Sequence, residues 1–130
     1  MAAGKLKAME KELQDEVEKF RSLQKKTQKL VDNRTQLDGQ RNENLSVKEE
    51  MELLDDSAVI YKMVGPVLVK QEPAEAKQTV TKRLDYITKE VERFDKMIVG
   101  LEKEQTDSRD RLARLQAEYQ QLINKTGSIR

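Results

Sequence analysis

From Val80 onward, apolar residues recur at intervals of four, three, four and three without a slip. The positions are Val80, Leu84, Ile87, Val91, Phe94, Ile98, Leu101, Gln105, Ser108, Leu112, Leu115, Tyr119 and Leu122, and only Gln105 and Ser108 are polar. A 3.5-residue repeat held over six heptads puts one stripe along a helix and predicts a coiled-coil seam. Pro73 marks the start, because its missing N–H costs no bond in a first turn. The pattern predicts a helix over 73–125. The first half carries a matching, more polar seam. One register holds Leu6, Leu13, Phe20, Thr27, Arg34 and Arg41; the other holds Met9, Glu16, Leu23, Leu30, Leu37 and Asn44. Val17, Val31 and Leu45 widen the stripe, and the spacing predicts a helix over 5–54.

Between the helices the sequence reads DDSAVIYKMVGPVLVKQEP. Asp55-Asp56-Ser57 is turn chemistry, and the Val, Ile and Tyr that follow are strand formers. Residues 58–71 are expected to form a β-hairpin about Gly65-Pro66. A two-residue loop would set Val64 against Val67 and Met63 against Leu68. Pro at the second central position is awkward for the common turns, so turn type and register stay open. One face of the ribbon carries Tyr61, Met63, Leu68 and Lys70. The other carries Ile60, Lys62, Val64, Val67, Val69 and Gln71.

A helix, a hairpin and a helix reverse the chain, so the helices are expected to lie antiparallel, with paired numbers summing to roughly 128. That alignment sets Phe20 near Ser108 and Arg34 near Phe94 as a stacking contact. It also brings both chain ends together. A 50-residue helix is about 75 Å long, so the chain reads as one elongated domain over 1–130. A lone two-stranded hairpin is marginal in water, and its edges leave backbone groups unpaired. Sister hairpins closing into a barrel would remove those edges. The fold class is therefore mostly α: a long antiparallel coiled coil of two helices joined by one β-hairpin that oligomerises into a β-barrel body.

Composition narrows the function classes. Lys and Arg total 25 against 24 Asp and Glu, a net charge of +1. The basic residues from Lys5 to Lys29 are interspersed with acids, as on a solvated helix face, so no nucleic-acid partner is expected. The chain has no Cys and no His, which removes the usual nucleophilic thiol and the commonest general base. Glu49, Glu50, Glu52, Asp55 and Asp56 lack the spacing of a calcium loop. We expect no enzyme activity, no cofactor and no metal. No apolar run approaches the roughly 20 residues of a membrane span, and MAAGKLKAMEKEL has no secretory signal core. A cytoplasmic location without membrane partners is the default.

The helix, VGPVLVKQ over Val64–Gln71, VKEEME over Val47–Glu52 and KRLDYI over Lys82–Ile87 together resemble a β-class prefoldin subunit. The resemblance covers nearly the whole chain. It implies an ATP-independent chaperone, a heterohexamer of two α-class and four β-class subunits whose hairpins build a double β-barrel. It also implies capture of unfolded clients, of actin and tubulin type, at the coiled-coil tips and their delivery to the cytosolic chaperonin. On this chain the client-binding residues would be Leu6, Met9, Leu13, Tyr119, Leu122 and Ile123, with Leu115 and Ile129 as further apolar side chains there. The oligomerisation residues would be Ile60, Tyr61, Met63, Val64, Val67, Leu68 and Val69. The alternative is a coiled-coil scaffold or tether without chaperone activity.

Overall fold

The computed structural model describes residues 2–55 and 57–127. Asp56 of the expected turn and Ile129 of the expected client set lie outside the described residues, as do the terminal Met1 and Arg130. Four elements follow in order: α1 (Ala2–Glu52), β1 (Ile60–Val64), β2 (Val67–Gln71) and α2 (Pro73–Gly127). The chain divides into two compact units. A terminal unit joins Met1–Val31 with Lys96–Arg130, and a hairpin unit is Asp32–Asp95.

The seam read from the repeat is the packed face of both helices. Val80, Leu84, Ile87, Val91, Ile98 and Ser108 of α2 are buried, and the other seven seam positions are half-buried. On α1, Leu23 and Glu16 are buried and the other ten seam positions are half-buried. Polar seam residues are accommodated individually. Thr27 Oγ1 donates to the Leu23 carbonyl at 2.8 Å and Asn44 Nδ2 to the Gln40 carbonyl at 2.7 Å. Arg41 Nη2 bonds Asp38 at 2.6 Å. No buried side-chain nitrogen or oxygen among the described residues lacks a partner.

The helices run antiparallel in each unit. In the terminal unit Glu10 meets Tyr119 and Glu16 meets Ser108, so the numbers rise on one helix as they fall on the other. In the hairpin unit Arg34 meets Asp95 while Met51 shares a groove with Ala76 and Val80. One side-chain placement differs from expectation. Arg34 does not stack on Phe94; its Nε and Nη2 engage the Asp95 carboxylate, the latter at 3.4 Å. A carboxylate offers a charged, planar acceptor matched to guanidinium geometry. The cation over Phe94 is instead its neighbour Arg93, 5.2 Å from the ring centre. Ser108 takes Glu16 as its hydrogen-bond partner, and Phe20 lines a cleft with Gln105 and Arg109.

The element ends also shift by a few residues. Helix α1 stops at Glu52, not 54, because the backbone tightens there: Leu53 N–H bonds the Glu50 carbonyl and Leu54 N–H the Met51 carbonyl, each at 3.2 Å. The strand begins at Ile60, not 58, since Ala58 N–H is held by the Asp55 carbonyl at 3.1 Å. Helix α2 runs to Gly127, two residues beyond the expected 125.

Candidate functional site

The hairpin pairs Ile60 with Gln71, Tyr61 with Lys70, Lys62 with Val69, Met63 with Leu68 and Val64 with Val67. Two residues, Gly65 and Pro66, therefore make the turn. Gly65 has φ +59° and is the only positive-φ residue among the described residues, so Pro66 keeps its negative φ. Positive then negative φ at the two central positions is the type II′ turn, whose twist suits a hairpin. Pro66 is tolerated because the ring fixes φ near −65°, a value the second central position accepts.

Six of the seven predicted oligomerisation residues are exposed: Tyr61, Met63, Val64, Val67, Leu68 and Val69. Met63 and Leu68 reach 69% and 62%. Ile60 is half-buried beside Met51, Ala76 and Val80, where the ribbon meets the helices. Both faces of the ribbon are thus apolar and accessible, and among the described residues no third strand joins it. Exposed apolar surface gathered in this way marks an interaction site, whereas isolated exposed apolar residues are ordinary.

The connector before the hairpin extends this surface. Leu53, Leu54 and Val59 are exposed, Leu53 at 86%. Asp55 shapes it: its carboxylate accepts from the Ser57 amide at 2.9 Å and from the Ser57 hydroxyl. Those bonds, the hydroxyl's first, hold the Asp55 carboxyl below its ordinary value. The spacing predicts Leu53 and Leu54 inside the helix, whereas both lie beyond its end at Glu52. A pair of adjacent leucines at a helix end, off the heptad stripe, was the available signal.

The predicted client residues cluster in the terminal unit. Leu6, Met9, Leu13, Leu115, Tyr119 and Leu122 are half-buried seam residues, and Ile123 is exposed at 36%. Tyr119 donates its hydroxyl to Glu10 Oε1 at 2.7 Å. That bond, followed by partial desolvation and the carboxylate's charge, raises the phenol above its ordinary value. Deeper in the same unit Glu16 is 7% exposed and Ser108 2%. The Ser108 hydroxyl donates to Glu16 Oε1 at 2.7 Å, and Arg111 Nη1 lies 3.5 Å from Glu16 Oε2. Among the described residues no group of His, Cys, Asp or Glu is placed to hold a metal ion, and no helix is long and apolar enough to cross a membrane.

The family described as "Prefoldin subunit" matches residues 14–126. The chain belongs to the prefoldin subunit family. Prefoldin subunit 6 of mouse (Mus musculus) is 50% identical over 112 residues, 86% of this chain and 88% of that one. Prefoldin subunit 6 of Arabidopsis thaliana is 33% identical over 122 residues, covering 94% and 95%. The crystal structure of the prefoldin beta subunit from Thermococcus strain KS-1 matches with a TM-score of 0.54 at 24% identity, over 85% of this chain and 90% of that one. At that identity the likeness speaks for the fold, two long helices about one hairpin. This prefoldin subunit is a chaperone subunit of a family whose members form complexes with one another.

Proposed function

We propose that this prefoldin subunit enters a heterohexamer of two α-class and four β-class chains through its hairpin, and holds unfolded polypeptides at the paired helix ends. The observation that carries the first half is the ribbon: six exposed apolar residues on two faces, with its edges open among the described residues. Such a surface is stable only when covered. The second half is supported by Leu6, Met9, Leu122 and Ile123, which close the seam where α1 begins and α2 ends and keep part of their surface accessible. Met is unbranched and adapts to varied partners. One pair of helix ends offers only a few apolar side chains. Several ends around one cavity raise the effective concentration and hold a client without a deep pocket.

The mechanism needs no bond-making. Clients of actin and tubulin type would be held without ATP and passed to the chaperonin in the cytoplasm. The test is truncation of residues 1–12 and 117–130 in the reconstituted complex, with denatured actin as client. Native mass spectrometry should show an intact hexamer, while suppression of actin aggregation is lost. Full suppression by the truncated complex would overturn the client reading.

A further inference from the structure

The paired helix ends of the terminal unit carry a charge that the rest of the chain does not. Over the whole sequence 25 basic residues stand against 24 acidic ones. Residues 1–9 and 119–130, however, contain Lys5, Lys7, Lys125 and Arg130 and no Asp or Glu. The three described lysines are exposed. Acids return immediately inward, at Glu10, Glu12 and Glu118, and Glu10 already accepts the Tyr119 hydroxyl at 2.7 Å. Helix dipoles do not set the sign here, because α1 begins where α2 ends and the two termini offset each other. The lysines also border the apolar side chains that hold clients in the reading above. Lys5 lies four residues before Met9 and Lys125 three after Leu122, spacings that make neighbours on a helix surface. Lys5 and Lys7 flank Leu6, each about 100° around the helix from it. Leu122 and Lys125 line one groove of about 530 Å³ with Gln121 and Asn124, and Glu118 stands at its inner end. Lysine stems lie along apolar surface while the ammonium reaches outward. A segment seated on Leu6, Met9, Leu122 and Ile123 therefore meets a fringe of positive charge.

We propose that the tip of this subunit selects, among unfolded polypeptides, apolar segments flanked by acidic residues. The selection rests on the client-holding reading and names the class of client. Apolar contact supplies the adhesion. Carboxylates beside the seated segment pair with Lys5, Lys7 and Lys125, whereas a basic flank is repelled, and the repulsion discriminates as much as the attraction does. Exposed ion pairs are individually weak, so three together give a bias of roughly 3- to 10-fold and not an absolute filter.

The test uses the complex reconstituted with its sister subunits and two photo-cross-linking peptides of one apolar sequence, flanked by glutamates in one and by lysines in the other. Cross-links mapped by mass spectrometry to residues 2–13 and 119–127 of this chain report this tip alone, whatever the other subunits hold. At low salt the acidic-flanked peptide should label it roughly 3- to 10-fold more than the basic-flanked one, and the difference should shrink at high salt. Lys5→Glu/Lys7→Glu/Lys125→Glu should reverse the preference, and Lys5→Arg/Lys7→Arg/Lys125→Arg should keep it. Because these lysines are exposed, circular dichroism and the mass of the complex should match the parent in both. Lys5→Gln/Lys7→Gln, a milder change on α1 alone, should reduce the preference and serves if the charge-reversed chain does not assemble. Equal labelling of the tip by the two peptides, or a preference that survives the loss of the lysine charges, overturns the proposal and leaves client holding intact. Labelling of the tip by neither peptide overturns it too. If the complex truncated at residues 1–12 and 117–130 then also suppresses actin aggregation in full, the client reading itself falls.

Discussion

Single side chains decide how a polar residue survives in an apolar stripe. Glu16 is accommodated because Ser108 donates to one carboxylate oxygen while Arg111 stands by the other. Removing one partner of such a set costs more than removing the set. Glu16→Ala should therefore lower the thermal stability of the terminal unit by about 1–3 kcal/mol. Glu16→Leu/Ser108→Ala, which keeps a large residue against a small one, should be neutral or stabilising. A double variant as unstable as the single one would show that the pair itself supplies stability. Tyr119 gives a pH test. Its phenol is neutral when it donates to Glu10, so the folded state raises its pKa above the ordinary value of about 10. The contribution is complete below the unfolded pKa and is lost as pH rises through the folded one. Glu10→Gln should shift the phenolate transition of Tyr119, read by absorbance against Tyr119→Phe, toward lower pH. An unmoved transition would mean that the bond is not populated. Neither partnership was visible in the heptad, because periodicity assigns a residue to a face and not to a partner. Arg34 is the plain case: the face was right, and Asp95 outcompeted the ring of Phe94 for the guanidinium.

At the scale of elements the sequence was far more legible. Twenty-five seam positions read from spacing alone are buried or half-buried, because a strict repeat admits one packed face per helix. The hairpin register was legible as soon as the loop length was known, since side-chain alternation fixes every later pair. Helix ends were less legible, because they depend on local bonds such as that from Leu53 N–H to the Glu50 carbonyl. Two glycines with open space around them separate backbone from packing effects. A Cβ at Gly65 or at Gly100 meets nothing within 4 Å. Gly100 lies in α2, where Gly→Ala should stabilise by about 0.5–1 kcal/mol. Gly65 has φ +59°, a conformation other residues adopt at a cost of about 1–3 kcal/mol. Gly65→Ala should weaken the hairpin and raise subunit dissociation, leaving helix content unchanged, while Gly100→Ala raises the melting temperature. Equal signs for the two substitutions would contradict the turn assignment.

For the whole molecule, the decisive matter is what the hairpin does before and after its partners arrive. In a hydrogen-bonded two-residue turn the flanking residues exchange a bond, so Val64 and Val67 form a bonded pair. Antiparallel alternation then makes Met63–Leu68 and Tyr61–Lys70 non-bonded pairs, whose N–H and C=O groups point outward from the ribbon. Those four residues hold the backbone groups that a neighbouring strand would take up. Hydrogen exchange should therefore distinguish two classes of amide within one ten-residue ribbon. In the isolated chain, diluted below association, the Tyr61, Met63, Leu68 and Lys70 amides should exchange almost as fast as free peptide. On addition of sister subunits they should slow by at least about tenfold, because each then needs a subunit interface to open. Amides around Ile87 and Val91, buried in the hairpin unit's own seam, should change little, which controls for a general tightening. If the four outward amides are already protected in the dilute chain, or stay fast in the complex, the ribbon is not paired edge to edge with a neighbour, and the contact between prefoldin subunits must be sought on another surface of this chain.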